Sequence, residues 1–314
     1  MSKITSKKIF IIIIALLVFG IFFIKIEAEH KKSYLESSLK YVPLRYKKAV
    51  RQALDSAGDN AVQMARALHA THPLEVSKMS FVIANMPTRD LKTLRYDFLL
   101  ENLQWARWAL SQVSWKGIPQ EIFFNYVVPY ASLNERRDNW RKDFCQRFIG
   151  IAKESRTIRE AAQKLNSIAF KELNVAYDAQ KRPKPDQSPH ESMEASYASC
   201  TGLSILLVDV LRSVAIPARI VLIPEWVDGS GNHTWVEVWE NQKWYYIGAA
   251  EPGEFNETWF TEKASQTDST DPEHRIYAAS FKKTGLSMPM VWEKSIDDIW
   301  AIDVTSRYLK SEER

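Results

Sequence analysis

Two stretches in the second half of the chain decide its fold: residues 199–207 (SCTGLSILL) and residues 232–239 (NHTWVEVW). The first opens an apolar run that continues to Val214 and is long enough for a buried helix, so Cys200 lies where that helix begins. The second is rich in β-branched and aromatic side chains, which is typical of a strand. The sequence therefore predicts a cysteine at a helix N-terminus and a histidine, His233, at the start of a strand.

Both residue types suit nucleophilic catalysis. The positive end of a helix dipole favours a thiolate, which is the nucleophilic form of cysteine. A nucleophilic cysteine also needs a base that takes its proton and returns it. His233 is placed for that role, because it follows a glycine-bearing turn (residues 228–232, DGSGN) that lets a substrate approach. The second cysteine, Cys145, lies in an aromatic helical stretch (WRKDFCQRF) and is predicted to be a buried structural residue.

A third residue is expected to orient the imidazole, and Glu251 is the candidate. If residues 240–243 form the turn of a hairpin, counting outward places Ala250 opposite His233, so Glu251 lies one residue from facing it. In that strict register the glutamate points to the other face of the sheet. A bulge or a different loop length is required to turn it back, and the small residues before it permit one.

The rest of the pattern predicts an α+β protein. Between residues 30 and 150, apolar positions recur at intervals of three and four, and prolines punctuate the run, which indicates a helical region. A further helix is predicted over 158–173, and the polar, proline-bearing residues 181–196 are predicted to be an exposed connector. Short strands are predicted at 219–223, 234–239, 244–248, 276–281, 290–292 and 299–304. The predicted domains are residues 1–29, 30–150 and 151–314.

The amino terminus carries an apolar run over residues 9–24 (IFIIIIALLVFGIFFI), preceded by Lys3, Lys7 and Lys8 and followed by Lys25. Sixteen helical residues span about 24 Å, short of a hydrocarbon core of ~30 Å unless the lysines reach outward. The small-residue cleavage signal after the run is poor, which favours an uncleaved membrane anchor over a signal peptide. The basic flank predicts that the globular part lies outside the cytoplasm, secreted if the segment is cleaved.

Composition and motif content argue against several classes of protein. The chain has 314 residues, 46% of them hydrophobic, which is a globular composition. Its net charge of +4 comes with no basic stripe, so no nucleic-acid partner is predicted. Two cysteines cannot form a disulfide scaffold. The sequence has neither HExxH nor CxxC and no phosphate-binding glycine loop, so no metal and no cofactor are predicted.

Four stretches carry a family resemblance: residues 199–207 and 232–239, with 214–219 (VAIPAR) and 243–260 (KWYYIGAAEPGEFNETWF). They resemble the transglutaminase-like superfamily of papain-like cysteine enzymes, and in particular a bacterial branch with a helical N-terminal region. The resemblance covers roughly residues 155–262. It implies a papain-like core in which a nucleophile helix packs on an antiparallel sheet.

The same resemblance assigns roles. Cys200 matches the nucleophile of the family and His233 matches its base. The usual aspartate comes four residues after a tryptophan like Trp244, and this chain has Gly248 there. Glu251 is the nearest carboxylate that could replace it. An oxyanion hole needs the Cys200 N–H and a second donor, for which Tyr197 and Gln187 are candidates.

The expected function is that of a cysteine-dependent acyl transferase or hydrolase acting on amide bonds through a Cys200 thioester. Peptide hydrolysis, deamidation and transamidation all remain open, because the resemblance does not separate them. The expected partners are a protein or peptide substrate, with cell-wall peptide among the candidates, and a membrane bound through the N-terminal helix. The alternative is a catalytically weak or inactive module that binds peptide or glycan at the cell envelope, which the missing aspartate favours.

Overall fold

A computed structural model describes residues 6–115 and 117–309, without the side chains of residues 6–15, 17–18 and 21–24. The described chain divides into two compact units. The first unit comprises the described residues up to 84 together with residues 89–96. The second unit comprises residues 85–88 and the described chain from residue 97 onward. The boundary predicted at residue 150 lies inside the second unit, and the sequence-based domain limits stay a prediction.

The first unit is built from helices, as the spacing of three and four predicts. They are α1 (Ser6–Ser38), α2 (Leu44–Ala57), α3 (Ala61–Ala70), α4 (Val76–Asn85) and α5 (Thr88–Thr93). The last residue of α4 and the first residue of α5 are assigned to the second unit. The end of α1 packs on α3, where the rings of Tyr34 and His69 lie 4.8 Å apart between centroids. Ser37 Oγ also lies 3.1 Å from Nε2 of His69.

The predicted membrane anchor concerns α1. Among the residues that were searched, namely those the structure describes, no helix is both long enough and apolar enough to cross a bilayer. The apolar run at 9–24 lies almost wholly outside the residues whose side chains are described.

The second unit combines helices with an antiparallel sheet, so the predicted α+β class is confirmed. Its helices are α6 (Tyr96–Gln112), α7 (Gln120–Tyr126), α8 (Trp140–Glu154), α9 (Ile158–Glu172), α10 (Pro189–Ala195), α11 (Cys200–Ser213) and α12 (Thr261–Ser265). Its strands are β1 (Ala176–Tyr177), β2 (Tyr197–Ala198), β3 (Ala218–Ile223), β4 (His233–Glu240), β5 (Lys243–Ile247), β6 (Tyr277–Ser280) and β7 (Trp300–Asp303).

The main sheet has five strands in the order β5-β4-β3-β6-β7, and β1 and β2 form a separate parallel pair. Helix α11 packs on β3 and β4 on one side and on α8, α9 and α10 on others. All its residues from Thr201 to Ser213 are buried. A helix that is covered in this way needs apolar side chains around most of its circumference, which explains the largely apolar sequence of α11.

Two sequence predictions were wrong in this unit. Within the expected connector at 181–196 lies α10, which begins with a capping box: Ser188 Oγ accepts from the Glu191 N–H at 3.3 Å, and Glu191 Oε2 accepts from the Ser188 N–H at 2.9 Å. Pro189 occupies the first helical position, where its missing N–H costs nothing. Residues 290–292, predicted to be a strand, are irregular.

Candidate active site

The N-terminus of α11 and the start of β4 are joined by hydrogen bonds between the residues that follow Cys200 and His233. The hydroxyl oxygens of Thr201 and Thr234 lie 3.0 Å apart, and Ser204 Oγ donates to the Thr234 carbonyl oxygen at 3.2 Å. All three residues are buried. These bonds hold the start of the helix against the start of the strand, although the two segments are about 30 residues apart in the chain.

Cys200 and His233 line the same cleft, which has a volume of about 480 Å³. Cys200 is the first residue of α11 and is partly exposed, whereas His233 is only 9% exposed. The other residues lining the cleft are Tyr177, Leu203, Trp226, Ser230, Asn232, Thr234, Ala249, Ala250, Glu251, Trp259 and Lys263. The structure thus brings all three sequence-predicted site residues to one cleft.

Aromatic rings surround the His233 imidazole. The ring centroids of Trp259 and Phe260 lie 4.8 and 4.9 Å from its own, and those of Trp235 and Trp226 lie 5.8 and 6.1 Å away. Burial lowers the pKa of His233 to about 4, and the positive charge of Lys263 acts in the same direction. The imidazole is therefore neutral at neutral pH, which is the form that accepts a proton.

One ring nitrogen of His233 stands out. Its Nε2 is buried and has no hydrogen-bond partner among the described residues. A catalytic imidazole usually has a group at one nitrogen that fixes its orientation, so an unpaired buried nitrogen needs an explanation.

Glu251 lies in the cleft, but its hydrogen bond goes elsewhere. Its Oε1 accepts from the indole Nε1–H of Trp259 at 3.0 Å. Partial burial raises the pKa of Glu251, and the bond from Trp259 opposes that rise. The expectation that the Glu251 carboxylate directly orients His233 thus differs from the observed contact, which is to Trp259.

The backbone explains how Glu251 reaches the cleft. Strand β5 leaves its ladder with β4 at Ile247, and residues 248–251 form a tight turn in which Ala250 has a left-handed φ of 63°. The buried Asn166 holds this turn: its Nδ2 donates to the carbonyl oxygens of Gly248 at 2.9 Å and Glu251 at 3.0 Å, and its Oδ1 accepts from the Ala250 N–H at 3.0 Å. The turn takes the place of the bulge that the register argument required.

Gly248 is needed for this arrangement. A Cβ at this position would lie 2.1 Å from Glu251 Oε2 and 2.6 Å from its Cδ. The carboxylate of Glu251 therefore occupies the space directly over Gly248, where the side chain of the usual aspartate would begin.

The two candidate oxyanion donors lie away from the cleft lining. Gln187 is fully buried, and its Nε2 donates to the Tyr197 carbonyl oxygen at 2.9 Å. Neither Gln187 nor Tyr197 is among the described residues that line the cleft. In this arrangement Gln187 supports the short segment before Cys200 and offers no donor to a substrate.

Cys145 has the properties of a structural residue. It is fully buried, and burial raises the pKa of its thiol to about 12 even though the charge of Arg141 acts against that rise. Among residues 6–115 and 117–309, no group of three or more His, Cys, Asp or Glu side chains is arranged to hold an ion.

Residues 143–249 match the family model of the transglutaminase-like superfamily. The chain contains a transglutaminase-like domain. The match covers about a third of the chain and includes Cys200 and His233, but it ends before Glu251. No curated protein and no solved structure matches the chain.

Sequence reasoning missed several residues of the transglutaminase-like cleft, above all Trp259, Trp226 and Lys263. Trp259 was part of the stretch that carried the family resemblance, yet no periodicity marks it as a neighbour of the base. Lys263 lies on α12, a helix of five residues that is too short to give a periodic signal.

Proposed function

We propose that the transglutaminase-like domain is a cysteine-dependent acyl transferase or hydrolase that acts on amide bonds. The observation that carries this proposal is the hydrogen bonding of Thr201 and Ser204 to Thr234, which brings the residues before them, Cys200 and His233, to one cleft. A nucleophile and a base at the tips of two well-packed elements are the minimum that covalent catalysis needs.

The proposed reaction has two halves. Cys200 Sγ attacks the carbonyl carbon of the amide while the neutral imidazole of His233 takes the thiol proton, and His233 then gives that proton to the departing amine. The product is a thioester on Cys200. Water or a second amine attacks this thioester, His233 accepts a proton from the attacking group, and the thiol is restored when that proton returns to sulfur. Peptide hydrolysis, deamidation and transamidation share these steps.

The substrate we propose is a protein or peptide. Two exposed aromatic side chains at the cleft, Tyr177 at 64% exposure and Trp259 at 58%, offer apolar surface for an extended chain. Leu203 and Ala249 add apolar area inside the cleft, while Asn232 and Ser230 add polar groups that could bind a backbone amide.

The test is selective alkylation of the two cysteines. We expect iodoacetamide to modify Cys200 of the folded protein much faster than Cys145, and to modify both at similar rates after denaturation. Cys200→Ala should abolish the fast reaction and His233→Ala should slow it. A screen of peptide amides with and without an added amine, with Cys200→Ala as control, then separates hydrolysis from transamidation. A folded protein whose Cys200 reacts no faster than a free thiol in an unfolded peptide would contradict the proposal.

The alternative is a non-catalytic module that binds peptide or glycan. The unpaired Nε2 of His233 and the engagement of Glu251 by Trp259 are the observations that favour it. This alternative predicts slow alkylation of Cys200 together with peptide or glycan binding that Cys200→Ala leaves intact.

We also propose that the lysine-flanked run at residues 9–24 anchors the chain in a membrane with the domain outside the cytoplasm. The support comes from the sequence pattern. After expression in bacteria, the full chain should stay in the membrane pellet during alkaline carbonate extraction, and a chain lacking residues 1–29 should not. Release of the full chain, or protection of its domain from protease added to spheroplasts, would contradict this proposal.

A further inference from the structure

We propose that Trp259 is a positioning residue of the active site and that Glu251 acts on His233 through it. The inference rests on the function proposed above and gives that site its third member. In this arrangement the carboxylate fixes an indole, and the indole fixes the imidazole.

The contacts form a continuous series. The Trp259 Nε1–H donates to Glu251 Oε1 at 3.0 Å, a normal length for a bond to a carboxylate. The Trp259 ring lies 4.8 Å from the His233 ring between centroids, with the two planes tilted by 59°. Phe260, which lies 4.9 Å from His233, stands nearly perpendicular to Trp259 at 86°. Trp259 and Phe260 are the two rings nearest the imidazole, and of these two only Trp259 has a polar group through which its orientation can be fixed.

The hydrogen bond to Glu251 matters because packing alone does not fix Trp259. The residue is 58% exposed, so much of its indole faces solvent. A side chain with that much freedom loses conformational entropy when it is held in one orientation, and a charge-assisted bond offsets that loss. Without the carboxylate, the indole would be free to leave the imidazole.

The position of the Glu251 carboxylate is in turn fixed by the residues around it. Asn166 fixes the turn at residues 248–251 through three hydrogen bonds, and Gly248 leaves the space that the Glu251 side chain fills. Because Oε1 of Glu251 is engaged by Trp259 and Nε2 of His233 is unpaired, the carboxylate acts on the indole and not on the imidazole.

This arrangement predicts a distinctive pH dependence. A carboxylate bonded to the imidazole would stabilise its charged form and raise its pKa. Burial among aromatic rings, including the Trp259 indole, instead keeps the imidazole desolvated and lowers the pKa of His233, and the positive charge of Lys263 acts in the same direction. The low-pH limb of the Cys200 alkylation rate, which reports protonation of the base, should therefore lie near pH 4.

The experiment measures the rate of Cys200 alkylation by iodoacetamide against pH in the full chain. In Glu251→Gln the amide oxygen still accepts from the indole but carries no charge, so the bond is weaker and the rate should fall, though by less than in Glu251→Ala. Glu251→Ala and Trp259→Phe each remove the bond and should each lower the rate at neutral pH by about fivefold, the equivalent of one hydrogen bond. Trp259→Phe should also move the low-pH limb upward, because the smaller ring leaves the imidazole more exposed to water.

Two further variants sharpen the result. The double variant Glu251→Ala with Trp259→Phe should be no slower than either single variant, because both remove the same bond. Trp108→Phe is the matched control, since Trp108 is a partly exposed tryptophan on α6 outside the cleft, and it should change neither rate nor profile. Equal thermal midpoints across the set would show that no variant acts by unfolding.

Three results would overturn the inference. One is a Trp259→Phe variant with the rate and profile of the wild type. Another is a Glu251→Gln variant as slow as Glu251→Ala, since that would mean the charge acts directly on the imidazole. The third is full additivity in the double variant. Failure of the proposed function looks different, because Cys200 of the wild type would then show no enhanced reactivity at all.

Discussion

The His233 side chain is kept neutral by the aromatic rings around it, and this has a measurable effect on stability. Its pKa is about 4 in the folded protein, against about 6.5 for an exposed histidine. As the pH falls, the unfolded chain therefore takes up a proton on this residue before the folded chain does. The stability that His233 contributes is fully present above pH 6.5 and is lost as the pH falls through 4.

We expect this single residue to remove roughly 3 kcal/mol of the free energy of unfolding between neutral pH and pH 4. Urea denaturation at neutral pH and at about pH 4 measures the loss. His233→Phe keeps an aromatic ring in the aromatic surroundings and should show a smaller loss over the same interval, because phenylalanine does not titrate. Equal losses in the two proteins would mean that other groups account for the acid sensitivity.

At the scale of elements, α10 shows how a local signal overrides composition. The connector that contains it is polar and rich in proline, yet the sequence Ser-Pro-His-Glu at 188–191 satisfies the first backbone donors of the helix. The helix ends two residues before β2, which leads directly to Cys200. Its stability therefore bears on how well Cys200 is placed.

Ser188, the N-cap of α10, and Ser192, within the helix, provide a matched test. Ser188→Ala removes the cap and should lower the free energy of unfolding by about 1 kcal/mol. Ser192→Ala makes the same chemical change at a buried hydroxyl that has no partner among the described residues, so it should be neutral or slightly stabilising. Chemical denaturation of both variants measures the difference. A Ser192→Ala variant that is as destabilised as Ser188→Ala would show that the cap is not the source.

At the scale of the whole second unit, buried arginines join elements that are distant in sequence. Arg141 on α8 donates to Asn102 Oδ1 on α6 at 2.6 Å, to the Arg212 carbonyl oxygen on α11 at 2.8 Å and to the Pro129 carbonyl oxygen at 2.7 Å. Arg212 in turn donates to the Ala131 carbonyl oxygen at 3.1 Å. These bonds satisfy carbonyl groups of an irregular buried segment that would otherwise lack partners.

Removing Arg141 should therefore destabilise the unit strongly. Arg141→Met should cost about 3 kcal/mol or more, because several buried carbonyl groups lose their donors together. Arg147→Met on the same helix removes only an exposed ion pair with Asp143 and should cost no more than about 0.5 kcal/mol. Thermal and urea unfolding compare the two variants. Similar losses would show that the buried arginine contributes no more than the exposed one.

The sequence was sufficient to predict the helix that carries Cys200 and the strand that carries His233. Cys200 begins α11 and His233 begins β4, because a long apolar run and a β-rich run are local signals. The hairpin register was also predictable, since Trp239 pairs with Trp244 as the count requires. The turn is shorter than the four residues expected: Glu240 also pairs with Lys243, and only Asn241 and Gln242, with left-handed φ values of 49° and 65°, lie between them.

The contact that Glu251 makes could be predicted only in part from the sequence. Glu251 could be proposed from its position, but its contact with Trp259 depends on a left-handed residue at Ala250 and on Asn166, more than 80 residues earlier in the chain. No local pattern encodes a turn that is held by such a distant amide. The family comparison has the same limit, since its match ends at residue 249.

The hydroxyl contact between Thr201 and Thr234 has a practical consequence. This hydrogen bond joins α11 to β4 and involves neither the Cys200 sulfur nor the His233 imidazole. A protein with Cys200→Ala should consequently keep the shape of its cleft while losing the thiol on which the proposed thioester forms. Such a protein, immobilised and exposed to a mixture of peptides, should retain the peptides that fit the cleft unchanged, and mass spectrometry would identify them.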